Sequence, residues 1–264
     1  MIENRMHRLR PALRGLALAS LALVPFTAGC RVDQPVPRYA NIGHDEGALA
    51  GWAHVLREHV DDSGNVDYRA LKSHPEPLER YVTWLAHNGP DLSPSRHGTR
   101  EEKLAFYLNA YNALAMYNVI TSGYEPDQKL RFFYRSRMRI DGQYTSLYEL
   151  EKKRILTLGE ERVHFGLNCM TKSCPRLRRE PFTPELVDDQ LERAAVEFFN
   201  DPRHVRYDAD KNRVRMSWLL DEFEKDFERS APSVVAYANR YRANPLPEDA
   251  RVKTIRWDWS LNAQ

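Results

Sequence analysis

The chain has 264 residues, 39 Lys+Arg against 37 Asp+Glu, and three cysteines. Its slight basic excess lies in the first thirty residues; beyond them 35 basic side chains face 36 acidic ones, a balance with no electrostatic case for nucleic-acid phosphates. That remainder is long enough to bury the core of one domain, and no later run is apolar and long enough to span a bilayer.

Arg5, Arg8, Arg10 and Arg14 lead into an apolar run from Gly15 to Ala28. At about fourteen residues it is shorter than the ~20 that cross a bilayer, so residues 1–29 are expected to be a signal peptide. The run closes on Ala28-Gly29-Cys30, small residues before a thiol that a lipoprotein signal peptidase would expose for acylation. The other reading is an ordinary cleavage nearby with an incidental cysteine. Arg31 stands where an aspartate would hold a lipoprotein at the inner membrane. The expected location is therefore periplasmic, anchored to the envelope through Cys30, with the outer membrane favoured. Residues 30–44, with Pro35 and Pro37, suit a tether, and the globular domain is expected over 45–264.

Leu49, Trp52, Ala53, Leu56 and Val60 recur at helical spacing and predict a helix over 45–60, ended by the turn Asp61-Asp62-Ser63-Gly64-Asn65. A second helix is predicted over 76–87. The strongest signal starts at Thr99, an N-cap with Glu102 three residues on, and runs through Ile120 to Gly123. Its apolar residues cover more than one stripe, which predicts a central, largely buried helix. Arg137 to Thr145 alternates around Asp141-Gly142 and predicts a hairpin, after which Ser146 and Glu149 form a second capping box. Val163, Phe165 and Leu167 alternate with polar or small residues, the pattern of a strand delivering Cys169 into a loop. A helix is predicted over 184–199, a hairpin around residues 210–212, two further helices, and a closing strand at Trp257–Asn262. The class is α+β: helix-rich, one domain, with a small antiparallel sheet.

The chemistry-bearing cluster is His164-x4-Cys169-x4-Cys174-Pro175. An imidazole beside a thiol stabilises the thiolate and makes a nucleophile, so Cys169 or Cys174 with His164 as base is one reading. A disulfide between Cys169 and Cys174, closing a small loop in an oxidising compartment, is the second. A metal site is the weakest, because the spacing is wider than the common C-x2-C knuckle and no second Cys/His pair stands nearby. Asn109 and Asn112 share a face of the buried helix, where an amide either ties down a loop carbonyl or orients a reacting group. Asp258, opposite the paired faces of Trp257 and Trp259, is a candidate third member of a triad. Nothing calls for a cofactor, and a small-molecule or peptide ligand is unidentified.

Five segments carry a resemblance: Gly64-Asn65-Val66-Asp67-Tyr68, Ala105-Phe106-Tyr107-Leu108-Asn109-Ala110-Tyr111-Asn112-Ala113, Arg162-Val163-His164-Phe165-Gly166-Leu167-Asn168-Cys169, Ser173-Cys174-Pro175, and Trp257-Asp258-Trp259-Ser260-Leu261-Asn262. Together they resemble the family known as domain of unknown function 547, which carries no assigned activity. Two functional expectations follow from the residues. One is a lipid-anchored binding or structural module with a Cys169–Cys174 loop; the other is a thiol-dependent hydrolase or acyl/peptidyl transferase.

Overall fold

A computed structural model describes residues 31–39 and 45–264; the expected leader, Cys30 and residues 40–44 lie outside the described residues. Strand β1 (Val32–Asp33) precedes helices α1 (Asp45–His59), α2 (Tyr68–Ser73), α3 (Glu76–His87) and α4 (Arg100–Ser122). β1 falls in the stretch expected to be a tether. It pairs in parallel with Ser136 and Arg137, and the carbonyl of Pro37 accepts from Thr83 Oγ1 at 3.0 Å, so residues 31–39 are docked on the domain.

Thr99 caps α4 with the reciprocal Glu102 box, and Gly123 closes it at φ 72°. Every residue from Leu104 to Ile120 is buried, as an all-round apolar surface requires. α1 and α3 pack on each other through a ladder of rings, Trp52 on Tyr81 at 5.6 Å and Tyr81 on Trp84 at 5.8 Å, which reaches α4 where Trp84 meets Phe106 at 5.9 Å.

β2 (Ser136–Ile140) and β3 (Gln143–Ser146) form the expected hairpin. Asp141 and Gly142 turn it with φ of 51° and 77°, the left-handed pair a tight hairpin needs. Ser146 caps α5 (Leu147–Leu150), which passes into a π-helical turn at Glu151–Ile155. An earlier π-helical turn, Arg131–Arg135, leads into β2.

Where alternation predicts a strand, the chain forms the short helix α6 (Val163–Gly166). Asn112 explains the difference: its Nδ2 donates to Gly166 O at 3.0 Å and its Oδ1 accepts from Asn168 N at 2.8 Å, tying off the helix end from α4. Then come α7 (Val187–Asn200), the hairpin β4 (Val205–Asp208) and β5 (Arg213–Ser217), α8 (Trp218–Glu222), α9 (Glu224–Phe227) and α10 (Val234–Asn239).

The last strand, β6 (Arg251–Ile255), pairs in parallel with β5. It lies upstream of the expected closing strand, and residues 257–264 make only isolated bridges, Leu261 with Thr171 and Ala263 with Val66. The α+β class stands, but the described residues contain two three-stranded mixed sheets, β1-β2-β3 and β4-β5-β6, in place of one small antiparallel sheet. One apolar core surrounds α4; a second gathers α7, β4, β5 and α8–α10. α6 joins them, with Val163 in the first and Phe165 in the second.

Candidate functional site

α4 fixes the backbone from which the site is built. Asn109 accepts from Trp52 Nε1 at 3.2 Å and Phe182 N at 2.9 Å, and donates to Phe182 O at 2.7 Å. Asn112 holds the backbone on both sides of Leu167, between His164 and Cys169. Both amides are thus spent on loop backbone, and neither makes a hydrogen bond to the His164 ring.

His164 is buried, its ring stacked on Phe223 at 3.9 Å and edge-on to Phe227 at 5.5 Å. Its Nε2 lies 2.9 Å from Asp226 Oδ2. A carboxylate only accepts, so Nε2 carries the proton and Nδ1 holds the lone pair. Burial lowers the imidazole pKa against the opposing pull of Asp226, and the bond to His164 lowers that of Asp226. The pair is a neutral imidazole oriented by a carboxylate.

The acid on His164 is therefore Asp226, not the expected Asp258. Asp258 sits across the cysteine loop: its Oδ1 accepts from Ser260 N at 2.9 Å, and its backbone N–H donates to Ser173 Oγ at 2.7 Å. Asp226 lies 62 residues from His164 in the acidic run Asp221–Glu228, where nothing in the spacing marks it.

Cys169 and Cys174 are joined by a disulfide, with Cα atoms 6.1 Å apart. Thr171 Oγ1 lies 3.3 Å from Cys169 Sγ and 3.2 Å from Cys174 Sγ, and accepts the indole N–H of Trp257 at 3.0 Å. Asn168 spans the loop, accepting from Met170 N at 2.7 Å and donating to Pro175 O at 2.7 Å. These bonds hold Met170 at φ 62°, a left-handed conformation that a long side chain adopts only when its surroundings impose it.

His164 and both cysteines line one cavity of about 270 Å³. Trp218, Trp257 and Trp259 form one wall, and Tyr134 and Tyr148 meet across the rim at 4.5 Å. The two π-helical turns supply four of the lining positions: Phe133 and Tyr134 from the first, Glu151 and Lys152 from the second. π-turns are rare and recur at functional sites.

Lys129 Nζ stands 4.0 Å from the Trp259 ring centre, and Lys152 Nζ 4.2 Å from that of Phe223. Burial raises the Glu151 pKa above the usual carboxylate range, with Lys152 opposing at 3.6 Å and Glu222 and Asp226 adding to the rise. Behind the loop lies a second, more polar groove of about 400 Å³ that Cys174 and Pro175 also line, together with Asn65, Arg256 and Asp258. Among the described residues no group of three or more His, Cys, Asp or Glu is arranged to hold a metal ion.

Residues 95–199 match the family model described as "Protein of unknown function, DUF547". That stretch, about two fifths of the chain, thus carries the DUF547 pattern. The DUF547 match takes in α4, His164 and both cysteines, and ends before Asp226 and the three cavity tryptophans. No curated protein and no solved structure matches the chain.

Proposed function

We propose that this chain is an exported, lipid-anchored envelope protein whose domain binds a small ligand in the cavity walled by the Cys169–Cys174 loop. The arginine-led apolar segment and Ala28-Gly29-Cys30 support export and acylation. The observation that carries binding is the convergence of half-buried indoles, rim tyrosines and a few polar groups on one concavity, the usual make-up of a ligand site. Mass spectrometry of envelope-extracted protein, alkylated before and after reduction, tests the frame. Acylated Cys30, with Cys169 and Cys174 alkylated only after reduction, is the expected result; an unacylated Cys30, or a thiol open without reduction, overturns it.

A thiol-dependent hydrolase or acyl transferase is the second reading, favoured because the Asp226-held imidazole and both sulfurs line the same cavity. A dithiol donor would first exchange with the bond, becoming a disulfide itself and leaving two thiols here. His164 Nδ1 would then accept the thiol proton while the sulfur attacks an ester or amide carbonyl, and return it to the alcohol or amine that departs as the acyl–sulfur bond forms; water or a second acceptor would then release the acyl group and restore the thiol. In this reading the reduced protein is alkylated fast below the ordinary thiol pKa and His164→Ala abolishes the acceleration; an alkylation rate with ordinary thiol pH dependence removes it.

A further inference from the structure

We infer that the cavity takes a neutral carbohydrate ring, an inference that rests on the cavity being the ligand site. Trp218, Trp257 and Trp259 pack on one another at 5.5, 5.8 and 6.1 Å between ring centres, yet each remains only half-buried. Phe133 leans on Trp259 at 6.4 Å, and the rim rings Tyr134 and Tyr148 are 48% and 39% exposed. A contiguous aromatic surface of this kind stays in water at a cost unless a partner covers it.

The polar groups choose among partners. An organic cation would seek a ring face, but Trp259 and Phe223 already face the ammonium groups of Lys129 and Lys152, and a second cation would be repelled. An anion would meet the carboxylate of Glu222 and would have to compete with Glu151 for the ammonium of Lys152, 3.6 Å from it. A wholly apolar ligand would strip water from Glu151 and Lys152 and return no hydrogen bonds.

A sugar ring meets both kinds of wall. Its C–H face lies against an indole, and its hydroxyls reach the carboxyl of Glu151 or Glu222 and the ammonium of Lys129 or Lys152. At about 270 Å³ the cavity is at the small end of ligand pockets, sized for a terminal ring rather than the middle of a long chain.

Tryptophan fluorescence and calorimetric titrations of the full exported chain, with its disulfide intact, test this. The probes are glucose, N-acetylglucosamine and chitotetraose, with tetramethylammonium and an anilinonaphthalene sulfonate dye beside them. Saturable binding of a saccharide, roughly millimolar or tighter, weakened about tenfold or more in Trp259→Ala and in the rim variant Tyr148→Ala, is the expected result. Circular dichroism of each variant separates lost binding from lost folding. Saturation by tetramethylammonium or the dye with none by any saccharide overturns the carbohydrate inference and leaves the cavity reading standing. If no probe of any class saturates, both fall.

Discussion

The chain's five tryptophans divide into two groups that differ in surroundings rather than chemistry. Trp52 and Trp84, 1% and 7% exposed, sandwich Tyr81 and fasten α1 and α3 to the core around α4. Trp218, Trp257 and Trp259 touch one another just as closely but leave part of each ring in a cavity. Two histidines repeat the contrast. His204 stacks on Phe198 at 4.2 Å in the second core, and its Nε2 has no hydrogen-bond partner among the described residues; His164 stacks on Phe223 at the cavity wall with Asp226 on its Nε2. Among the tryptophans one group serves burial and the other leaves part of its rings facing the cavity; of the histidines, the one that lines the cavity is the one held by a carboxylate.

The largest expected effect tests the buried group. Trp52→Ala should lower the free energy of unfolding by about 4 kcal/mol, because it opens a ring-sized void and removes a donor from Asn109, as denaturant titration would record. Asn112→Ala comes next, at about 3 kcal/mol, since it strands Gly166 O and Asn168 N at the end of α6. A loss of this size would confirm that the amide holds backbone; unchanged stability would send it back among the reacting groups.

Acid should act on both histidines, since burial lowers the pKa of each. Burial lowers the His204 pKa from 6.5 to about 4, so between those values the unfolded chain binds the proton that the folded one refuses. Stability from this residue is therefore fullest above pH 6.5 and falls as pH drops toward 4, by about 3 kcal/mol. Urea melts at stepped pH should show the slope, and His204→Gln should reduce it, leaving the part due to His164; an unchanged slope would assign it elsewhere. The smallest effect belongs to the cavity. Trp257→Phe gives up the bond to Thr171 at a cost of about 1 kcal/mol, and a loss near that of Trp52 would erase the contrast between the two groups.

Legibility in the sequence followed the same division. α1, α3 and α4, the capping boxes at Thr99 and Ser146, and the Asp141-Gly142 hairpin announce themselves because caps, turn residues and periodicity are local. α6 was hidden because bonds from Asn112, more than fifty residues away, outweigh the alternation of Val163, Phe165 and Leu167. β6 was hidden because its largely exposed run of Arg251, Val252, Lys253 and Thr254 has no apolar face to advertise.

At the site, His164, Cys169 and Cys174 could be picked out by type, and Trp257 and Trp259 share a wall with Asp258 turned away from it, as their alternation implies. Asp226 and Glu151 could not. Each is an ordinary acidic residue in a charged stretch, and only tertiary packing brings one to His164 and desolvates the other.

The two π-helical turns carry an evolutionary consequence. At Arg131–Arg135 and Glu151–Ile155 the closing backbone bonds skip five residues, Ser136 N to Arg131 O and Leu156 N to Glu151 O, which amounts to one residue inserted into each α-helical path. Deleting a residue from either would restore ordinary winding and swing the residues beyond it by about 100°. Phe133 and Tyr134, or Glu151 and Lys152, could then leave the wall with no cavity residue replaced. Relatives could thus gain or lose this wall through single-codon insertions and deletions, which are changes of length and would escape any comparison that follows only residue identity.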